Sequence, residues 1–467
     1  MVGIVGALSS PYFCKIIHAL TFLNNLVMNA KNVLLILGLA SIAQIGVAHD
    51  VDSAKNDKEK TEENSKAKKS KFTLGGYGEA VMTRNFFSDK YLRYTDAKTY
   101  KDDKSHGRFD LPHVTLWMGY DFGKGWSVGT EIEFEHGGTE SAIEIEPEEG
   151  GEYESEVERG GEVALEQFWI QKSFSPALNL KLGHMVVPVG ATNAHHEPNY
   201  FFTCYRPEGE SSIMPCTWHE TGVSLWGRFK DWRYEIMFLS GLDSDRFSSQ
   251  GWIKGGAGSP YEFKIANNYA GAFRVDNFSF KNLRLSLSGY VGNSFENSLK
   301  PTESEKFKDV KGTVAIGAFD FCYNNSRAIV RGNVDYGHLT DAEKITQFNM
   351  GFPKNSPCPK QPVASDAIAA GVEAGLDVFS FNRKLNNAGH KLYVFGRYEY
   401  YDSMLDTEGQ VLDYEWCGRQ RVAAGLNYFP NKNIVIKGEY SIGLLKSQYN
   451  NEPSISLGVA YNGVFIK

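Results

Sequence analysis

The stretch Arg421-Val-Ala-Ala-Gly-Leu-Asn-Tyr428-Phe-Pro-Asn-Lys-Asn433-Ile434-Val-Ile-Lys-Gly-Glu-Tyr-Ser-Ile442 decides the fold. Val422, Ala424, Leu426 and Tyr428 alternate with Arg421, Gly425 and Asn427. After five turn-forming residues, Ile434, Ile436, Tyr440 and Ile442 alternate with Lys437, Glu439 and Ser441. The apolar period is two, which is the signature of strands with one greasy and one wet face. Leu283, Leu285 and Leu287 opposite Arg284, Ser286 and Ser288 repeat it.

Working outward, sixteen such segments run from Phe72–Arg84 to Ile455–Ile466, among them Arg108–Phe122, Leu178–Val189 and Ile265–Phe278. Most have the length that a tilted membrane strand requires. The connections alternate long and short without a break. Asn85–Gly107 is followed by Gly123–Gly125, Gly137–Gly161 by Ser175–Ala177, and Gly190–His219 by Lys230–Asp231. A soluble sandwich has no reason to keep every second turn tight, whereas outer-membrane barrels have short periplasmic turns and long extracellular loops. Aromatics flank every short turn, including Tyr120, Phe122, Trp126, Phe174, Phe229 and Trp232, as an interfacial girdle requires. The expected fold is all-β: a 16-stranded antiparallel transmembrane barrel over residues 72–467.

The first 71 of the 467 residues read differently. Residues 1–48 are expected to be a signal peptide, with an apolar run at Val33–Ala48 and a start that reads best at Met28. Residues 49–71, rich in Lys, Glu, Asp and Ser, are expected to be a disordered charged periplasmic segment. The formal charge of −7, from 49 basic and 56 acidic residues, leaves no basic footprint, so nucleic acid is excluded as a partner. No apolar run of eighteen follows the amino-terminal region, which excludes a helical membrane bundle.

The faces opposite the apolar ones carry the candidate pore-lining residues: Glu131, Glu133, Glu135, Lys181, Arg228, Arg233, Arg274, Arg284, Arg331, Arg397, Arg421 and Lys437. Facing lipid, each would cost about 2 to 4 kcal/mol near the bilayer midplane, so they are expected to line water. Within the third long loop, Gly190 to Glu208, Phe201 and Phe202 have no use in a wholly solvated loop. The loop is expected to fold inward and narrow the bore, with His195, His196, Glu197, Arg206 and Glu208 at the constriction. His195-His196-Glu197 falls short of the helical H-E-x-x-H spacing, so no metal or cofactor is expected. Cys204 and Cys216 lie in the same loop, where a disulfide and two free thiols are equally compatible with an oxidising compartment. The acidic loop Glu140–Glu162 reads as solvated, since blocks of like charge repel, although it also has the chemistry to hold divalent cations.

Glu131-Ile-Glu-Phe-Glu-His136-Gly-Gly138, Phe174-Ser-Pro-Ala-Leu-Asn-Leu-Lys-Leu-Gly183, Val187-Pro-Val-Gly190, His196-Glu-Pro198 and Pro215-Cys-Thr-Trp-His-Glu220 resemble Bacteroidetes outer-membrane porins of the phosphate-selective porin O/P family. The likeness is densest over residues 126–226. It implies a homotrimeric sixteen-stranded porin with an inward third loop. The arginine rows and mouth lysines associated with anion preference in that family have no match here, so no binding residue is carried across. The reading is therefore a non-enzymatic outer-membrane porin, passing small hydrophilic solutes or ions, with phosphate among the candidates. It would meet outer-membrane lipid and the barrel-assembly machinery. The alternatives are a surface binding or adhesion barrel with a plugged pore, and a barrel hydrolase, against which no Ser–His–acid arrangement stands out.

Overall fold

The computed structural model describes residues 71–137, 141–143, 157–159, 162–258, 263–297, 304–353, 356 and 358–466. The leader, the charged segment up to residue 70 and most of the acidic loop lie outside these residues. Sixteen strands form one closed antiparallel ring. They are β1 (Phe72–Asn85), β2 (His113–Gly123), β3 (Trp126–Glu135), β4 (Glu162–Ser175), β5 (Leu178–Val186), β6 (His219–Phe229), β7 (Trp232–Ser240) and β8 (Tyr269–Phe280). The ring continues through β9 (Leu283–Asn293), β10 (Thr313–Asn324), β11 (Ala328–Leu339), β12 (Asp366–Asp377), β13 (Lys391–Asp406), β14 (Gly418–Asn431), β15 (Ile434–Gly443) and β16 (Ser454–Ile466). Each pairs with its sequence neighbour. Closure comes from β1 against β16, in register from Gly75↔Val464 to Asn85↔Ser454. A closed ring leaves no unpaired edge, which is what a strand protein in a hydrocarbon environment needs.

The strand bounds depart from the alternation at informative places. The segment Arg108–Phe122 is interrupted at Leu111-Pro112, because proline supplies no ladder N–H. A short strand, Gly107–Asp110, resumes pairing with β1 above the gap. The expected Leu178–Val189 ends at Val186, where Pro188 breaks the ladder and the chain turns inward. Ile265–Asn268 lies outside β8. The connection after β12 is longer than the other tight turns and holds a one-turn helix, Arg383–Asn387, capped by the Asn382 side chain.

The outer surface is apolar. Leu116, Leu165, Phe168, Leu182, Leu225, Ile236, Phe273, Leu287, Val334, Val372, Leu426, Ile436 and Leu457 are all exposed, far beyond the isolated apolar residues usual on a soluble protein. Phe122, Trp126, Phe174, Phe229, Trp232, Phe280 and Phe381 are exposed around the short-turn end. The interior is filled from one side. Val187, Val189, Ile213, Met214 and Trp218 from the third long connection pack with Met237, Leu239, Leu242, Trp252 and Ile253 in the main buried cluster.

Candidate functional site

The connection between β5 and β6 enters the barrel. Its neck is held by the Val187 N–H donating to the Trp218 carbonyl at 2.8 Å. Gly190 turns the chain at φ +83°, a conformation that favours glycine, and a Cβ there would also sit 2.0 Å from Glu210 Oε1. The one-turn helix Ala191–Ala194 follows. Its N–H groups are gathered by the buried Glu210 carboxylate, which accepts from Ala191 at 3.0 Å, Thr192 at 3.0 Å and Asn193 at 3.3 Å. Burial pushes the Glu210 carboxyl up to about 7, against the opposing pull of those donors.

From there the segment bonds to wall after wall. The Gly190 carbonyl accepts from Arg274 at 2.9 Å, and His195 meets Arg284. Phe202 seats over Gly375, where a Cβ would meet its ring at 2.3 Å, and stacks on Phe395 with ring centroids 5.4 Å apart. Its N–H donates to Glu373 at 3.4 Å, and its carbonyl accepts from Asn427 at 3.0 Å. Lys437 donates to the carbonyls of Pro198 at 2.6 Å, Phe201 at 3.0 Å and Thr203 at 2.8 Å. Glu399 accepts from the Gly209 N–H at 2.9 Å. The inward fold follows from residue chemistry: Phe202 finds an apolar seat on the wall, the Phe201 ring is buried with its centroid 4.3 Å from Lys437 Nζ, and the surrounding wall charges satisfy the backbone.

The five candidate constriction residues take separate places. His195 stacks on Tyr200, and burial holds its imidazole well below the usual range. His196 is buried, donates from Nδ1 to the Asn193 carbonyl at 3.1 Å, and has its titration pushed down to about 3 by burial and by Arg206. Glu197 is half-buried, with its carboxyl raised by desolvation. Arg206 donates to Thr217 Oγ1 at 2.9 Å and lies 3.7 Å from Glu133. Glu208 accepts from Tyr401 at 2.5 Å and pairs with Arg421 at 2.8 Å. Cys204 and Cys216 are both free thiols. The Cys204 N–H is tied to Glu439 at 2.7 Å, while Cys216 lies in the field of Arg206 and Glu210, its thiol raised to about 12 by burial.

The expected row of water-lining charges is only partly found. Glu131, Glu133, Arg274, Arg397, Arg421 and Lys437 are buried, because the loop covers them and opposite charges neutralise them. Arg274 pairs with Asp276 and Asp320, each at 2.8 Å, and Arg397 with Glu373 at 3.2 Å and Glu399 at 3.0 Å. Arg421 also reaches Glu452 at 3.3 Å. Arg233, Arg284 and Arg331 remain partly solvated while paired to Asp276, Asp320 and Glu373. Glu135 is half-buried beside His113 at 3.6 Å, Lys181 lies over the Trp169 ring at 5.0 Å, and Arg228 is exposed.

Glu79, Glu166, Glu210, Asp320, Glu373 and Glu452 were absent from the sequence expectations. Asp320 and Glu373 follow the same alternation as the residues that were found. Glu166 does not. Glu131 pairs with Gln167 and Ile132 with Leu165, so a bulge at Glu166 breaks the period and turns both Glu166 and Gln167 inward.

No protein-family model matches the chain. The resemblance to the porin O/P family therefore gains no support there. An uncharacterized protein of Aquifex aeolicus (strain VF5) is 25% identical over 383 residues, 81% of this chain and 77% of that protein. Among solved structures, the outer membrane channel DcaP of Acinetobacter baumannii is similar over 85% of this chain and 99% of its own, at TM-score 0.49 and 11% identity. Salmonella typhi OmpF in complex with daunomycin is similar over 84% and 97%, at TM-score 0.49 and 12% identity. An anion-selective porin from Comamonas acidovorans is similar over 84% and 98%, at TM-score 0.45 and 10% identity.

One pH effect follows from the loop anchor. The Glu210 carboxyl is raised by folding, so the barrel binds more protons than the unfolded chain between the ordinary carboxylate range and about pH 7. Its contribution to stability is fully present at low pH and is lost as pH rises through that value. Wild-type heat resistance, read by the shift of folded and unfolded bands on gels from pH 5 to pH 8.5, is expected to fall with rising pH. Glu210→Gln keeps an acceptor but cannot titrate, and is expected to flatten that slope.

Proposed function

We propose that the chain is an outer-membrane porin passing small hydrophilic solutes or ions by passive diffusion. The supporting observation is the sorting of side chains on the sixteen-strand ring, with an apolar belt outside and charges inside. Such a ring is too wide for wall side chains alone to fill. At the long-loop end a cavity of about 730 Å³ is bordered by Asp89, Arg93, Arg108, Glu208, Glu399 and Arg421. Both signs are present and most charges are paired, which favours no preference for phosphate. A homotrimer in the outer membrane, reached through the periplasm and the barrel-assembly machinery, belongs to this reading. So does a role without catalysis, His195 being held against Arg284.

The plugged-barrel alternative is favoured by one observation: the loop bonds to walls as far apart as Arg274 on β8 and Lys437 on β15. Reconstitution of the purified barrel in planar bilayers separates the two. Discrete steps that scale with salt are expected, and the reversal potential across a KCl gradient gives the sign of selectivity. A silent membrane with correctly folded protein would favour the plug.

A further inference from the structure

His196 is delivered by the loop to a wall position that the bulge in β4 has prepared. Its Nε2 lies 3.7 Å from Glu166 Oε1, and together with Glu131 these residues bring three donor atoms within 4.8 Å of one another, all three buried. Glu166 is fully buried, and neither of its oxygens makes a hydrogen bond of normal geometry, with the Thr217 hydroxyl as a neighbouring polar group. A buried carboxylate in that state is expensive and calls for a ligand. The 3.7 Å separation is too long for a hydrogen bond. It is close to the span of about 3.3 Å between two donors on a tetrahedral zinc ion, given bond lengths near 2 Å.

The surroundings have the form of a metal site. His196 Nδ1 is directed at the Asn193 carbonyl at 3.1 Å, which leaves Nε2 with its lone pair toward the cluster. Asn193 is itself locked, accepting from the Trp218 N–H at 2.5 Å and donating to the Val187 carbonyl. Glu131 accepts from Gln167, which fixes the second carboxylate. Charge agrees: Glu131, Glu133 and Glu166 lie in one another's field with Arg206 as their shared guanidinium, so the pocket has carboxyl groups enough to balance a divalent ion that displaces their protons on binding.

We propose that Glu131, Glu166 and His196 bind one divalent transition-metal ion. Two carboxylates and one imidazole suit zinc, manganese or ferrous iron better than magnesium or calcium. Because His196 belongs to the loop and both carboxylates to the wall, the ion clips the loop to β3 and β4. The site does not depend on what passes through the barrel.

The test uses full-length folded barrel in detergent, stripped with EDTA and titrated with zinc chloride. One zinc per chain is expected, with a raised unfolding temperature. Glu166→Gln, which keeps size and shape, should weaken zinc binding at least tenfold, about the loss seen when a metal site is disturbed. His113→Ala, altering the neighbouring His113, Glu133 and Glu135 group, should not. Should Glu166→Gln fail to fold, cobalt titration of the wild type gives an independent answer: absorption bands of a site with one imidazole and two carboxylates are expected. No stoichiometric zinc or cobalt, or binding unchanged by Glu166→Gln and His196→Gln, overturns the assignment. Loss of binding in His113→Ala alone would move the site to the other group and overturn it as well.

Discussion

Replacing residues 191–212 with a Gly-Ser pair is expected to raise single-channel conductance severalfold. The excised segment is the part of the β5–β6 connection that reaches Arg284, Glu373, Asn427 and Lys437. The ladder does not depend on it, since β5 and β6 remain in register up to Val186↔His219 and the neck bond from Val187 to Trp218 is kept. Ile213, Met214 and Trp218 stay behind to fill the apolar cluster. What changes is the bore, because a ring of sixteen strands cleared of its inserted segment leaves an aqueous channel. The wall charges released from the loop become hydrated, which offsets part of the lost bonding. Planar-bilayer recordings of both proteins at the same salt measure the effect; equal conductance would show that this segment does not set the constriction.

Arg274→Met is expected to destabilise the barrel by about 3 to 5 kcal/mol, the cost of breaking a buried charge pair from one side. The guanidinium is only 1% exposed, and it serves Asp276, Asp320 and the Gly190 carbonyl together. Methionine fills most of the volume and removes the compensation. Asp276 retains Arg233 at 3.2 Å and Asp320 retains Arg284 at 2.9 Å, so the barrel should still assemble. Adding Asp320→Asn removes the more buried of the two carboxylates that lose a partner and should recover a measurable part of the loss. Urea unfolding of the single and double variants decides this, and a single variant as stable as wild type would mean that the network contributes nothing net.

The barrel itself was legible because its information is local. Whether Leu287 or Ser288 faces outward is settled by alternation within a few residues, and whether a connection is tight is settled by its length. Phe201 and Phe202 disclosed the inward loop for a similar reason, since two large apolar side chains in an otherwise polar loop need somewhere dry. The errors also have local causes. Pro112 and Pro188 each cut a segment that alternation alone would have continued.

The side-chain partners were not legible. A period-two reading places Arg274, Arg397 and Lys437 on the inner face but says nothing about Asp320, Glu373 or the carbonyls of residues 198–203 that meet them. In the fold these charges are buried and spent on one another and on the loop, where an aqueous lining had been expected. Glu166 was hidden by one inserted residue, which shifts every side chain before it to the opposite face.

The sequence by itself determined a ring of sixteen strands with one apolar and one charged face, because each strand's orientation depends on its own alternation. Only the tertiary structure decided which charges meet, that His196 reaches Glu166 and Glu131, and that the loop is stitched to walls more than 230 residues away, as Cys204 is to Glu439. Those pairings depend on loop course, bulge position and ring closure together, and no short window of residues contains all three.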